Sequence, residues 1–310
     1  MIANTIISTL AAMVAAGTVL LLASLGELVT EKSGISNLGV EGVILVGAVS
    51  GVIGVQATGS LWLAVLIAMA AGGLMSLIHA LLTVTFRANQ IVSGLALTIF
   101  GTGLSSFIGK PYVNVTPAAS FQPIAIPGLS KIPALGTILF DQNIIVYISL
   151  LLVPALWFVL NRTHLGMKIR SAGENPAATD SAGINVFAIR YGCTIFGGML
   201  AGLGGVFLSL GYNSSWMDNI SAGRGWIAVA LVIFATWNPW KALLGSYLFG
   251  LIGILGLRLQ AVGIQIPSDL FSMLPYILTI VVLALISGRV NNRGDGTPAA
   301  LSTAYDREAR

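Results

Sequence analysis

The sequence predicts an all-α polytopic membrane protein of about nine transmembrane helices, within a range of eight to ten, carrying an inverted internal repeat. Of 310 residues, 56% are hydrophobic and only 8% are charged. A soluble domain carries about 25% charged residues, so this chain has too little polar surface to face water. Its apolar residues fall in runs of about 20, the length that crosses a bilayer as a helix. Its Lys and Arg residues stand at the ends of those runs rather than in a patch. The net charge of +4 is therefore membrane-topology punctuation and not a nucleic-acid footprint.

The first run, 3–25, has no Lys or Arg before it. That makes it a poor secretory signal and a good retained helix. Runs at 39–57, 61–86 and 90–108 follow, the last two parted by Arg87-Ala88-Asn89. A linker of about 33 residues with Pro111, Pro117, Pro123, Pro127 and Pro133 then reads as an irregular surface loop. The fifth and sixth runs, 143–160 and 187–210, flank a polar, basic stretch at 161–190. The short seventh run, 224–237, ends at the turn Asn238-Pro239, and 241–259 and 270–288 complete the set. Trp237 and Trp240 on one side, and Trp216 and Trp226 on the other, read as interfacial anchors. Residues 1–288 form a single transmembrane domain, and 289–310 a polar tail expected to be disordered. The one cysteine, Cys193, excludes a disulfide framework and reads as a small packed side chain.

Arg162, Lys168, Arg170 and Arg190 in one loop, and Arg289, Arg293, Arg307 and Arg310 in the tail, place both on the cytoplasmic side. Counting spans backward puts Arg87 and Lys32 inside, and the proline-rich loop and the N-terminus outside. The repeat rests on three echoes in the same order: "LASLG" at Leu22 and "FLSLG" at Phe207, Glu41-Gly42 and Arg224-Gly225, and "QIVS" at Gln90 and "QIPS" at Gln265. A step of five spans is odd, so the two copies insert with opposite topology, a transporter design.

Four motifs carry candidate chemistry. In "SGISNLGVEGVILVGA", from Ser33, the residues Glu27, Glu31 and Lys32 just upstream read as a solvated loop at the end of a span. Gly34, Gly39 and Gly42 permit a backbone break or a close helix contact. Asn37 can cap the helix that follows, and Glu41 suits the positive end of that helix. Glu41 is read either as a lining residue of a polar pathway or as ordinary capping. In "HALLTVTFRANQIVSG", His79 reads as a hydrogen-bonded packing residue, while Gln90 and Ser93 share one helix face and can bond to a neighbouring helix or to a polar solute. In "GENPAATDSAGIN", Asn175 is a good N-cap, Pro176 a good first residue, Ala177, Ala178, Thr179 and Asp180 can be helical, and Gly183 is a good stop. The resulting helix of about seven residues is roughly 10 Å long, too short to span and too short to stand alone. It must pack on the membrane surface or sit in a partner's groove. In "GRGWIAVALVIFATWNP", Gly225 opens the counterpart of Gly42. There is no phosphate loop, no H-E-x-x-H and no G-x-S-x-G elbow.

Together "EKSGISNLGVEG", "RANQIVSG", "GENPAATDSAGIN" and "GRGWIAVALVIFATWNP" resemble the permeases of bacterial ATP-binding-cassette importers for branched-chain amino acids, ribose-like sugars and nucleosides. The nucleoside and simple-sugar branch, and the shorter member of its paired permeases, is most similar. The resemblance implies a type II importer-like fold of about ten spans in the bacterial inner membrane, with an inverted repeat and alternating access. It implies as partners a second permease, two cassette ATPases, an extracytoplasmic solute-binding protein and membrane lipid, but no nucleic-acid polymer. No cofactor would be bound by this chain, ATP and Mg being used by the ATPases. The segment Asn175 to Gly183 matches the family's coupling helix, although Ala177 stands where the common loop pattern has an acidic residue. The stretch toward Gly39 and Glu41 matches its broken pathway helix. The other class left open is an ion-coupled secondary transporter, with Glu41 and His79 as relay groups.

Overall fold

The computed structural model describes residues 2–261 and 296–307, with isolated residues between 273 and 284. In chain order the elements are α1 (Ile2–Lys32), α2 (Val40–Thr58), α3 (Leu61–Ala80), α4 (Gln90–Gly109), β1 (Pro123–Ala125), α5 (Leu135–Leu139) and β2 (Asp141–Asn143). Then follow α6 (Ile144–Arg162), α7 (His164–Glu174), α8 (Pro176–Ser181), α9 (Val186–Phe207), α10 (Arg224–Phe234) and α11 (Pro239–Ala261). Single π-helical turns, Leu81–Thr85 and Leu208–Tyr212, extend α3 and α9.

Among the described residues seven helices are long and apolar enough to cross a membrane: α1, α2, α3, α4, α6, α9 and α11. The chain is a multi-pass membrane protein. The expected seventh span, 224–237, is only partly helical: α10 has 11 residues, about 16 Å at 1.5 Å per residue, against a hydrocarbon core of about 30 Å, so the helix alone does not cover the crossing. The apolar run continues, but the backbone leaves the helix, since Thr236 and Trp237 take positive φ of 49° and 51°. The expected span at 270–288 lies outside the described residues, apart from isolated helical positions such as Ile277.

α9 runs through the centre, packed by α1, α2 and α3. The contacts are glycine to glycine. A Cβ on Gly26 would sit 2.5 Å from the Gly197 carbonyl, and one on Gly47 2.6 Å from Gly202 Cα. Between lipid-facing helices there is no hydrophobic gain to drive association, so close backbone approach and van der Waals contact do the work. α1 and α9 are antiparallel, since Thr30 reaches Cys193 O while Gly204 faces Val19. The packing closes under the exchange α1 with α9, α2 with α10 and α3 with α11. α3 lies on α9 as α11 lies on α1, and α2 on α9 as α10 on α1. That exchange agrees with the first two echoes of the expected inverted repeat; the third, "QIPS" at Gln265, lies outside the described residues.

The proline-rich linker is less irregular than expected. β1 and β2 pair antiparallel, Pro123 opposite Asn143, and Asn143 Nδ2 donates to Phe121 O. Lys32, Arg87, α7, α8 and residues 296–307 gather at one end of the bundle, here the basic end. Arg258 bonds Thr5 and Ser8 at the other.

Residues 296–307 are not the disordered tail expected. Lys32 Nζ donates to Gly296 O at 2.7 Å, Ala300 N to Gly173 O at 2.9 Å, Ser302 N to Gly34 O at 3.1 Å and Arg190 Nη1 to Thr303 O at 3.1 Å. A polar composition forecasts disorder only when nothing else supplies partners; here α1, α7, α9 and the loop after α1 do.

Candidate functional site: two helix starts and a short docking helix

The break after α1 is built from Ser33 to Gly39. Gly34 has φ +96°, a left-handed conformation that costs a side-chain-bearing residue about 1 kcal/mol or more. Its space is closed too, for a Cβ would lie 2.8 Å from Arg190 Nη2. Side chains from two helices and from the loop itself satisfy the loop's amides. Asn37 N donates to Glu27 Oε1 at 2.7 Å, Ser36 N to Gln90 Oε1 at 2.8 Å, and Gly39 N to Asn37 Oδ1 at 2.9 Å. His79 Nε2 donates to Ser36 O at 3.1 Å, which leaves Nδ1 to meet the Ser93 hydroxyl at 3.0 Å. Thus Asn37, Gln90 and Ser93 come together, with His79 as the hydrogen-bonded packing residue expected. Gln90 Nε2 is buried with no hydrogen-bond partner among the described residues.

Two expectations fail at this break. Glu27 and Glu31 are not solvated; each is 2% exposed. The loop folds back over them, and Glu31 accepts from Trp237 Nε1 at 2.7 Å and from Ser36 Oγ at 3.4 Å. Trp237 is therefore no interfacial anchor: its left-handed turn swings the indole inward. Trp216 is likewise fully buried, its ring filling the space beside Gly109.

Glu41 sits in the first turn of α2, yet α2 has Gly39 at its N-cap and no side-chain cap bond. Its carboxylate crosses to the start of α10. Oε1 accepts from Ser221 Oγ at 2.5 Å and Gly223 N at 2.8 Å, and Oε2 from Gly225 N at 2.6 Å. A helix N-terminus presents unpaired N–H groups and a partial positive charge, and a carboxylate answers both. A Cβ on Gly225 would collide with the Glu41 backbone, so only glycine lets the two segments meet. Gly42 packs in turn on α4, where a Cβ on Gly101 would lie 2.7 Å from Gly42 Cα. Glu41 caps, but it caps the helix of the other half of the repeat.

At the basic end α8 has the boundaries its local chemistry dictates. Asn175 Oδ1 accepts from Ala178 N at 2.9 Å, Pro176 fills the first position, and Gly183, at φ +80°, ends it with its N–H on Asp180 O at 2.9 Å. Thr179 is buried, with Oγ1 on Asn175 O at 2.8 Å, while Ala177 and Ala178 face outward. A shallow apolar depression of about 330 Å³ lies between α7 and α8, walled by Met167, Ala178, Ala182 and Ile184.

The question of what holds so short a helix has an answer that sequence reasoning missed. Arg307 grips Asp180 with two prongs, Nε to Oδ2 at 2.7 Å and Nη2 to Oδ1 at 2.5 Å, and Tyr305 Oη donates to Oδ2 at 3.1 Å. The Arg307 bond holds the Asp180 carboxyl below its ordinary range, and Asp180 raises Arg307 in return. The Tyr305 ring leans on Phe187, centroids 5.7 Å apart, and Arg87 pairs with Asp306. The only hint in the sequence was one aromatic and three charges in Tyr305-Asp306-Arg307-Glu308.

The profile of the branched-chain amino acid transport system / permease component family matches residues 9–283. TsgC13 of Haloferax volcanii, whose name proposes a glucose ABC transporter permease, is 40% identical over 96% of this chain and 97% of its own. Guanosine ABC transporter permease protein NupQ of Bacillus subtilis is 38% identical over 90% of this chain and 92% of its own. Nucleoside ABC transporter permease protein NupC of Lactococcus lactis is 34% identical over 95% and 97%. Glucose ABC transporter permease protein TsgB13, also of H. volcanii, is more distant at 25% identity and longer, this chain covering 75% of its length.

Proposed function

Because the chain belongs to the branched-chain amino acid transport system / permease component family, we propose that, as an ABC importer's permease subunit, it forms the translocation pathway for nucleosides, with ribose-like simple sugars the next candidates. It is a transport subunit and carries no ATPase site of its own. ATP and Mg belong to partner ATPases. A solute-binding protein delivers the solute from the other side. A second, longer permease completes the pathway, in keeping with the similarity to shorter proteins such as TsgC13 and NupQ. The basic end is cytoplasmic and the N-terminus external, by the excess of Lys and Arg at that end.

The observation that carries the reading is α8: a preformed, capped helix packed on α7 and α9 at the basic end, with the small side chains of Ala177 and Ala178 facing outward. Nucleotide-driven closure of the ATPases would push α8. Asp180 would pass the push to Tyr305 and Arg307, and the same tail bonds the Gly34 carbonyl at the break. Asn37, Glu41, Gln90 and Ser93 are the pathway candidates. The free Gln90 amide is a donor available to a solute hydroxyl or carbonyl once the break opens. His79 and Glu41, as relay groups of an ion-coupled carrier, would first have to give up every bond they make.

Ala178→Arg puts a long charged side chain on the outward face of α8. It should abolish co-purification with the ATPase and ATP-driven nucleoside uptake while leaving membrane insertion intact; uptake at the wild-type rate would refute the docking role. Transport by this chain alone in vesicles, without ATP, would refute the importer reading itself. Cysteine introduced at the exposed Ser181 should label only from the cytoplasm, with no background because Cys193 is buried.

A further inference from the structure

A second cavity, separate from the helix starts and from α8, opens at the basic end. It measures about 210 Å³ and is walled by Lys32, Asn161, Arg170, Thr236, Asn238 and Trp237. Its walls come from four places in the chain: the end of α1, the end of α6, α7, and the α10–α11 turn. The chemistry is cationic and donor-rich. Lys32 Nζ lies 5.9 Å from the centre of the Trp237 ring and Arg170 is exposed. Two more cations stand behind the walls, Arg162 over Trp157 at 5.9 Å and Lys241 on Thr236 Oγ1 at 2.7 Å. Among the described residues no carboxylate lines the cavity. Of the acids nearest in sequence, Glu31 lies behind the Trp237 wall, accepting from Trp237 Nε1 and Ser36 Oγ, and Glu174 accepts from Ala299 N; Lys32 Nζ itself donates to Gly296 O at 2.7 Å.

Its position selects among anions. The cavity sits where α6 ends and α11 begins, and these two helices pack together. On the turns beside it they expose large apolar side chains, Phe158 on α6 and Trp240 and Leu244 on α11. A polar cationic pocket above an apolar face at the end of a span matches a phosphate headgroup above its acyl chains, and basic pockets between membrane helices bind such headgroups. We propose that this cavity binds the phosphate of an anionic membrane phospholipid, with Lys32 and Arg170 as charge partners, Asn161 and Asn238 as hydrogen-bond donors, and the acyl chains lying on Phe158, Trp240 and Leu244.

Occupancy would bridge α1, α6, α7 and the α10–α11 turn. Since α7 leads directly into α8 and the turn carries the Trp237 bond to Glu31, the lipid would brace the docking end of the bundle.

The test is native mass spectrometry of the delipidated full-length chain titrated with phosphatidylglycerol or phosphatidylcholine. Wild type should retain one phosphatidylglycerol with about ten-fold preference or more. Arg170→Gln should cut that preference about five-fold, the contribution of one cation beside an anionic surface. Arg170 is exposed, so this variant should fold, and Lys32→Gln is the second variant. Arg87→Gln, a cation at the same end but outside the cavity, should change nothing. Equal retention of the two lipids by wild type, an unchanged preference in Arg170→Gln, or an equal loss in Arg87→Gln would overturn the proposal. Displacement of the lipid by millimolar inorganic phosphate would assign the cavity to a free anion and overturn the lipid.

Discussion

Two helices of this bundle, α2 and α10, begin among buried residues, and they are held there in opposite ways. The break before α2 is shared: Glu27, Gln90 and Asn37 each take one amide of the loop, and His79 takes a carbonyl. The break before α10 is more concentrated: the Glu41 carboxylate alone takes Ser221 Oγ, Gly223 N and Gly225 N, and Arg224 Nη1 takes the Ile220 and Ser221 carbonyls. A distributed break can lose one bond and keep its shape. A concentrated one can be released by a single event, so if one of the two starts acts as a gate, the comparison points to α10. The two are also unequal in geometry. α2 is long enough to cross the membrane, while α10, at 11 residues, is not long enough to do so alone.

The sharpest way to break the comparison is Glu41→Leu. It strands three donors, two of them buried and one half-buried, a buried one costing about 1–3 kcal/mol when unpaired, though membrane reference states offset part of this. A loss of about 2–4 kcal/mol is expected, read as a fall in the thermal midpoint of the detergent-solubilised chain, together with loss of uptake. Glu41→Gln should fall between, since one amide oxygen can still accept. Unchanged stability with lost transport would instead mark Glu41 as a lining residue whose capping bonds are dispensable.

The next effect is smaller because the break before α2 is shared. Asn37→Ala and Gln90→Met each remove one acceptor from a loop that keeps the others, and each should cost about 0.5–1.5 kcal/mol. Gln90→Met also deletes the buried amide nitrogen that lacks a partner, so its stability cost should be the lower of the two. If Gln90 meets the solute, KM should rise more than the maximal rate falls. A double variant that costs no more than either single one would show that the loop does not share its load.

How far these starts could be read in the sequence follows from what each depends on. The long spans were legible because twenty apolar residues in a row mean one thing in lipid. α8 was legible to within a residue because Asn-Pro and Gly act locally, through a side-chain cap, a fixed φ and a left-handed stop. Asn37, Gln90 and Ser93 could be picked out as polar residues in apolar surroundings, and the structure brings them to one cluster. The partner of Glu41 was half legible: the echo paired Glu41-Gly42 with Arg224-Gly225 as equivalents, and the structure pairs them as contacts. The length of α10 was not legible, because hydropathy reports which residues avoid water and not where a backbone turns left-handed, as it does at Thr236 and Trp237. For the same reason Trp237 looked like an anchor and Glu31 like a surface charge. The tail was misread because composition averages over its residues, whereas its order comes from single bonds to Gly34, Gly173, Asp180 and Arg190, all far away in the chain.

The smallest expected effect tests whether the first break has support beyond its own helices. The tail bonds the Gly34 carbonyl and grips Asp180, so it reaches the break before α2, whereas the start of α10 is held by Glu41. Arg307→Ala leaves Tyr305 on Asp180 and every bond inside the loop. It should loosen residues 303–307, read as faster proteolysis at the C-terminal segment, with no change in the thermal midpoint and a modest loss of ATP-coupled uptake. The pH dependence has a defined sign. The Asp180 carboxyl is held below its ordinary range by Arg307, so the contribution of this pair is present above the unfolded carboxylate pKa and is lost as pH falls through the lower folded value. Between neutral pH and about pH 5 the tail should therefore stay protected, and only stronger acid should release it. Release already at pH 6 would show that some other group holds the tail, and the two breaks would then differ only in what their own helices supply.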